Sequence, residues 1–311
     1  MARLLVFGSV GWDRPVWLDQ PLMSGRRILG YGDQDQLSDW PNGRLGGAAA
    51  NASACWVNAG HEAAVWSALR QDDIGELIKH RLAELQIETD LLHPSEAING
   101  ATLLLIEPDG ERTIMFQHAD PNLDRTFRSY LKKQAAKVDV SKVQSFKPDG
   151  IFLRSLFDGF ETLADLPPIP TIAHWPQSIE DAILPADVLI GSHDDLAAAD
   201  RLADVFDQGC DACGDRLKGV IVTEGKAGGQ VFTEQGNVSY SSPAVEQIDA
   251  TGAGDAFAAG VLEALVAGAS LVEAAQHGAI WGATTAALKG CAEPRPPQTY
   301  LKWNASDAVA P

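Results

Sequence analysis

The sequence is poor in positive charge. Its 311 residues carry 24 Lys and Arg against 42 Asp and Glu, a formal net charge of −18 at pH 7. Such a chain offers no general basic surface to nucleic acid or to an anionic membrane, although a local phosphate pocket is not excluded. Long apolar runs are missing too: none approaches the roughly 20 residues that span a bilayer. The opening stretch from Met1 to Phe7 is broken by Gly8 and Asp13 too soon for a secretory signal, which points to a cytoplasmic protein. Cysteine is scarce, with 4 residues. Cys210 and Cys213 form one Cys-x-x-Cys without a second pair at zinc spacing, so they read as a chance pairing, and Cys55 and Cys291 as small core or loop residues. No His/Asp cluster has the ligand spacing of a metal hydrolase. The first strand runs into Gly8-Ser9-Val10-Gly11-Trp12-Asp13, which lacks the Gly-x-Gly-x-x-Gly helix opening of a dinucleotide site and so argues against an oxidoreductase.

What is present is ordinary for a globular protein: 45% hydrophobic residues and enough length for a large core. Apolar runs at 4–10, 63–68, 150–153, 170–173, 186–190 and 219–223 read as buried strands. Helical spacing recurs after Gly46-Gly47, from Asp72-Asp73-Ile74-Gly75, and over 194–208, 253–267 and 271–287. Residues 101–107 and 112–117 suit a hairpin turning at Asp109-Gly110, and 230–240 a second one. Residues 14–45 carry short extended pieces, Val16-Trp17-Leu18 and Arg27-Ile28-Leu29, between Pro, Gly and Asp. They read as a small β appendage. A polar, Lys-rich segment over 121–147 suits a helix with a loop. The alternation of strand and helix predicts an α/β fold, with a mostly parallel central sheet covered by helices on both faces.

Two stretches carry chemistry. In Asp249-Ala250-Thr251-Gly252-Ala253-Gly254-Asp255, a glycine-rich turn feeds a helix whose first N–H groups and dipole make an anion site. A carboxylate there competes with a bound anion unless Asp255 acts as general base beside a phosphoryl group in transfer. The alternative is an ordinary first-turn acid. In Arg44-Leu45-Gly46-Gly47-Ala48-Ala49-Ala50-Asn51, two glycines permit close approach of a small polar ligand, and Asn51 one turn into the helix offers a donor and an acceptor to hydroxyls. Asn51 could equally cap or face solvent. Asp13, just beyond the first strand, stands where open α/β sheets bind ligands, or is a turn acid before Pro15.

Together these stretches resemble the paired signatures of the ribokinase-like (PfkB-type) carbohydrate kinases. Asp73-Ile74-Gly75, Gly110-Glu111-Arg112-Thr113 and Thr223-Glu224-Gly225 follow in the family's order across nearly the whole chain. The resemblance implies a ribokinase-like fold with a small β lid: 1–13, 46–100 and 119–311 forming the α/β domain, 14–45 and about 101–118 the lid. It implies an ATP-dependent kinase for a hydroxyl of a sugar or sugar-like small molecule. Asp255 matches the catalytic base, and Gly252, Ala253 and Gly254 the backbone anion hole. Asp13, Gly46, Gly47 and Asn51 match positions that hold substrate hydroxyls, and Thr223 and Gly225 positions near the nucleotide. Asp249 and Thr251 match part of a loop that binds a monovalent cation, usually K+, in many members. Mg2+ would accompany ATP, and the lid often also makes a homodimer contact.

The chain departs from the family at one nucleotide-site position. The usual Asn-x-x-Glu reads Ser192-His193-Asp194-Asp195, which leaves Asp195 as the carboxylate near the metal and puts Ser192 in place of Asn. This gives some footing to a catalytically silent regulator, which the retained Asp255 opposes. A nucleoside kinase of the same fold is the other enzyme reading. Trp12, Trp17 and Trp40 suit stacking on a sugar or packing of the lid, and His174 reads as a loop histidine. Arg154 suits either an acidic substrate, such as a keto-deoxy sugar acid, or a surface role.

Overall fold

The structure, a computed structural model, describes residues 1–18, 20–21, 43–95, 101–109, 111–116, 137–175, 183–198, 202–296 and 299–300. Arg27-Ile28-Leu29, Trp40, Gly110 and much of the expected helix over 121–147 lie outside these residues.

The first half contains strands β1 (Arg3–Phe7), β2 (Gly11–Trp17) and β3 (Arg44–Gly46), helix α1 (Ala48–Asn58), β4 (Glu62–Arg70), α2 (Asp73–Glu84), β5 (Leu92–Ser95), β6 (Ala101–Ile106) and β7 (Arg112–Phe116). Then come α3 (Val140–Phe146), β8 (Gly150–Leu153), β9 (Thr171–His174), β10 (Val188–Ser192), α4 (His193–Ala198) and α5 (Val205–Cys213). The chain continues through β11 (Gly219–Thr223), β12 (Gly229–Thr233), β13 (Gly236–Tyr240), α6 (Ala253–Val266) and α7 (Leu271–Ala286).

Nine strands form one sheet in the order β13-β12-β11-β10-β9-β8-β1-β4-β5. Its strands pair in parallel except at β12 and β13, which close one edge as an antiparallel hairpin. Burial on both faces explains why these strands are continuously apolar. Along β1, Leu4 and Val6 pack into one core with α1, α2, α6 and α7, while Leu5 and Phe7 pack into a second core with α3, α4 and α5. The same alternation recurs at Val188, Leu189 and Ile190 in β10. Each large aliphatic side chain so buried contributes on the order of 2 kcal/mol.

A second sheet, β3-β2-β6-β7, stands apart from the first. It occupies the position in the chain expected of the lid. The turn between β6 and β7 touches the loop ahead of Asp249, because Gln247 Nε2 donates to Glu111 Oε1 at 3.3 Å and to the Asp109 carbonyl at 3.4 Å.

The structure differs from expectation in two places. The first strand ends at Phe7, and the chain enters the second sheet at Gly11, so Asp13 lies within β2 and not in a loop after β1. At Gly8 a Cβ would sit 3.2 Å from Ala49 Cβ, so α1 crowds the chain just where the strand stops. The single helix expected over 194–208 is instead α4 and α5, with Asp204 left-handed (φ 51) immediately ahead of α5. Helical spacing alone does not reveal such a break. Among the described residues, no helix is long and apolar enough to cross a membrane.

Candidate active site

The site gathers at the carboxyl ends of the parallel strands, where open α/β sheets bind ligands. Gly252 caps α6 in the left-handed conformation (φ 79, ψ 1). A Cβ there would lie 2.5 Å from Cys291 Cβ and 2.9 Å from Asn51 Nδ2, so only glycine fits. The Ala253 N–H turns back to the Ala250 carbonyl at 3.2 Å, and Ala256 N–H makes the first helical bond to Gly252 at 2.8 Å. The amides between them belong to the first turn, which has no intrahelical acceptors. Gly254 faces open space, with nothing within 4 Å of its missing side chain.

Asp255 stands in that first turn with both carboxylate oxygens engaged. Asn51 Nδ2 donates to Oδ2 at 2.9 Å and Arg154 Nε to Oδ1 at 3.2 Å. Asn51 is buried on α1, and Arg154 is the first residue beyond β8. The Asp255 side chain is 13% exposed and that of Arg154 29%, so the pair is accessible to a small molecule.

Asp13 is buried on β2, opposite Arg44 on β3. A Cβ at Gly46 would fall 2.0 Å from Asp13 Oδ2, so that glycine makes room for the carboxylate. Burial pushes the Asp13 carboxyl up to about 6; Arg44 opposes the rise, while Asp249 and Asp255 add to it. Asp249 is almost fully buried, and burial alone would raise it as well. The Arg44 guanidinium, with Nη2 2.8 Å from Oδ2, and the Thr251 N–H, 2.9 Å from Oδ1, hold it below the usual carboxylate range instead. The Arg44 N–H does not point straight at the oxygen, so this contact is an ion pair more than a linear hydrogen bond. Gly290 N–H also donates to Asp249 Oδ2 at 3.2 Å. The Thr251 hydroxyl is buried with no hydrogen-bond partner among the described residues.

The remaining expected residues form a second group. Ser192 and Thr223 are register partners at the ends of β10 and β11. Gly225 is left-handed (φ 56) and faces open space. Ser192 Oγ accepts the Asp195 N–H at 3.1 Å, and the Asp195 carboxylate is exposed at the start of α4. No group of three or more His, Cys, Asp or Glu among the described residues is placed to hold a metal ion. His174 ends β9, with its register partner Ile190 in β10.

Sequence reasoning gave Arg44 no role and left Arg154 between two. Their only signals were position: Arg44 stands two residues ahead of Gly46-Gly47, and Arg154 leaves a parallel strand at its carboxyl end.

Comparison with known proteins accords with this geometry. An ATP-dependent ribose-1-phosphate kinase of Halopiger xanaduensis is 26% identical over 302 residues, covering 93% of this chain and 94% of that protein. The crystal structure of a ribokinase from Thermotoga maritima superposes with a TM-score of 0.70 at 18% identity, covering 97% of this chain and 100% of that one. That of Arabidopsis thaliana ribokinase complexed with ribose and ATP gives 0.66 at 19% identity, covering 97% and 99%. The fold is therefore ribokinase-like. A family model described as pfkB family carbohydrate kinase matches residues 32–298, most of the chain, and the protein belongs to that family of phosphotransferases.

Proposed function

We propose that this kinase transfers the γ-phosphoryl group of ATP to a hydroxyl of a sugar or sugar-like acceptor, with Asp255 as the general base. The observation that carries the reading is the placement of Asp255: one helical turn past a left-handed Gly252, its carboxylate oriented by Asn51 and Arg154 beside the open space at Gly254.

Asp13 and Asn51, with the backbone at Gly46 and Gly47, would hold the acceptor hydroxyls. Asp255 takes the proton of the hydroxyl that reacts. The freed oxygen attacks the γ-phosphorus in line, and the bond to the bridging oxygen breaks with its electron pair leaving on ADP. The amides of Gly252 and Gly254 would meet the charge on the transferring group from a preorganised position, whereas the Ala253 N–H, bonded at 3.2 Å to the Ala250 carbonyl, would have to turn from it to take its share. Thr223 and Gly225 would line the nucleotide. Magnesium fits as an ion brought in with the nucleotide, since it is typically held by one or two carboxylates plus substrate phosphates, and exposed Asp195 beside Ser192 would be such a carboxylate. When bound it would neutralise charge on the phosphoryl oxygens.

An acceptor that itself bears negative charge is favoured by Arg154. Its guanidinium is a planar fork suited to carboxylate or phosphate, and it stands 29% exposed beside Asp255. A sugar phosphate would match the name of the Halopiger relative, and a sugar acid would use the same charge.

The test is ADP release from Mg-ATP with ribose, ribose 1-phosphate, fructose, a keto-deoxy sugar acid and adenosine. A strong response from one sugar-type acceptor that disappears in Asp255→Asn is expected. Adenosine as the single responder would replace the sugar reading with a nucleoside kinase, and turnover retained by the variant would remove Asp255 as base.

A further inference from the structure

The loop that the resemblance associates with a monovalent cation already contains fixed positive charge. A buried carboxylate such as Asp249 requires a partner, because removing an ion from water costs several kcal/mol even after relaxation. That partner is Arg44, whose side chain is only 10% exposed and whose Nη2 lies 2.8 Å from Asp249 Oδ2. The facing turn is held by a second guanidinium: Arg295 Nη2 donates to the carbonyls of Lys289 at 2.5 Å and Gly290 at 2.7 Å. Arg295 is itself anchored, its N–H donating to Asn58 Oδ1 at 2.9 Å.

A hard cation in this place would need several oxygen ligands. Asp249 Oδ2 is taken by Arg44 and the Gly290 N–H, Oδ1 by the Thr251 N–H, and the two carbonyls by Arg295. The Thr251 hydroxyl adds a single ligand, so a cation at these oxygens would compete with two guanidiniums already in place.

We propose that the Arg44 guanidinium, assisted by Arg295, does the work of a monovalent cation at Asp249, so that this kinase acts without K+ or Na+. The connection to the reacting centre is direct. Asp249 braces Thr251, the residue before Gly252, while Cys291 follows Gly290 and its Sγ lies 3.7 Å from the Gly252 carbonyl. Neutralising Asp249 and pinning the 289–290 turn therefore fix the backbone whose amides would receive the phosphoryl group. A guanidinium stays charged at any working pH and cannot diffuse away, which a bound alkali ion can. Arg44 and Arg295 are positioning residues in this scheme, which rests on the kinase reading of Asp255.

The test uses the full chain exchanged into tetramethylammonium salts, compared with KCl and NaCl at matched ionic strength. Melting temperature is read first, since it needs no acceptor, and Mg-ATP turnover second. The wild type is expected to melt within about 1 °C in all three salts and to turn over within about twofold. Arg44→Ala is expected to lose stability and turnover and to regain part of both in KCl but not in tetramethylammonium chloride; a purely structural arginine would show no such selectivity. Arg44→Lys is expected to keep cation independence. A wild type that loses about tenfold in turnover, or gains several degrees only with K+, overturns the proposal. So does a folded Arg44→Ala that ignores K+. If Arg44→Ala does not fold, the wild-type salts still decide. Absence of turnover with every acceptor would defeat the kinase reading and leave the melting comparison to judge the cation.

Discussion

Asn51 Nδ2 lies 2.9 Å from Asp255 Oδ2, although 204 residues separate the two in the chain. The amide of one signature thus orients the carboxylate of the other. With Arg154 on the second oxygen, the plane of the Asp255 carboxyl is held from two sides before any acceptor arrives.

Asp255→Asn is expected to lower kcat by about 100- to 10,000-fold, the usual contribution of a positioned acid or base, while ATP binding measured by calorimetry changes little. Asn51→Ala removes the orientation and not the base, so its kcat should lie between the two. A variant Asp255→Asn within about threefold of the wild type would sink the assignment.

Arg154→Gln is expected to raise KM for a phosphorylated or carboxylated acceptor by about tenfold or more, since hydrogen bonds to charged groups are worth roughly 1.5–3 kcal/mol. Arg154→Lys should restore only part, because an ammonium lacks the planar fork. Equal KM changes for charged and neutral acceptors would show that Arg154 serves Asp255 alone.

Asp13 supplies a pH prediction. Its carboxyl is pushed up to about 6 from 3.8, and it must be ionised to accept hydrogen bonds from acceptor hydroxyls. The profile of kcat/KM, which reports groups of the free enzyme, should fall on the acid side with a limb near that value. In Asp13→Asn the limb should vanish along with most acceptor affinity. For stability the sign is opposite: a raised pKa favours the folded state fully below 3.8, and this contribution is lost as pH rises through about 6.

Glu263 on α6 gives the reverse case, away from the site. It is buried between His61 and His277, with Nε2 atoms at 3.3 and 3.0 Å from its oxygens. His61 Nδ1 accepts the Ala2 N–H at 3.1 Å, so its ring proton sits on Nε2 toward the carboxylate. The ring N–H lines miss the oxygens, so these are close polar contacts and not linear hydrogen bonds. Burial would raise Glu263, but the two histidines outweigh it and bring it down to about 2. A depressed carboxylate contributes stability that is present above its unfolded value of 4.5 and lost as pH falls toward about 2. Chemical denaturation across that window should show a loss in the wild type that Glu263→Gln lacks. Parallel curves for the two proteins would refute the role.

Much of the nine-stranded sheet was legible because both of its faces are buried. Continuous apolar runs such as Gly219–Thr223 and Gly150–Leu153 have few other solutions in a chain of alternating strands and helices. The start of α2 was legible for a local reason: Asp72 caps it, accepting the Gly75 N–H at 2.9 Å. The split between α4 and α5 was not, since it depends on the left-handed backbone at Asp204.

By itself, then, the sequence determined the features that depend on neighbours in the chain: the buried strands, the glycine turn at Gly252, the small helix start after Gly46-Gly47, and the acid in the first turn of α6. Tertiary structure alone decided which charges meet. Arg44 with Asp249, Arg154 with Asp255, and His61 and His277 with Glu263 come from elements distant in sequence. Backbone propensity and hydrophobic period act over a few residues, whereas the partner of a buried charge is set by how the sheet and helices pack around it.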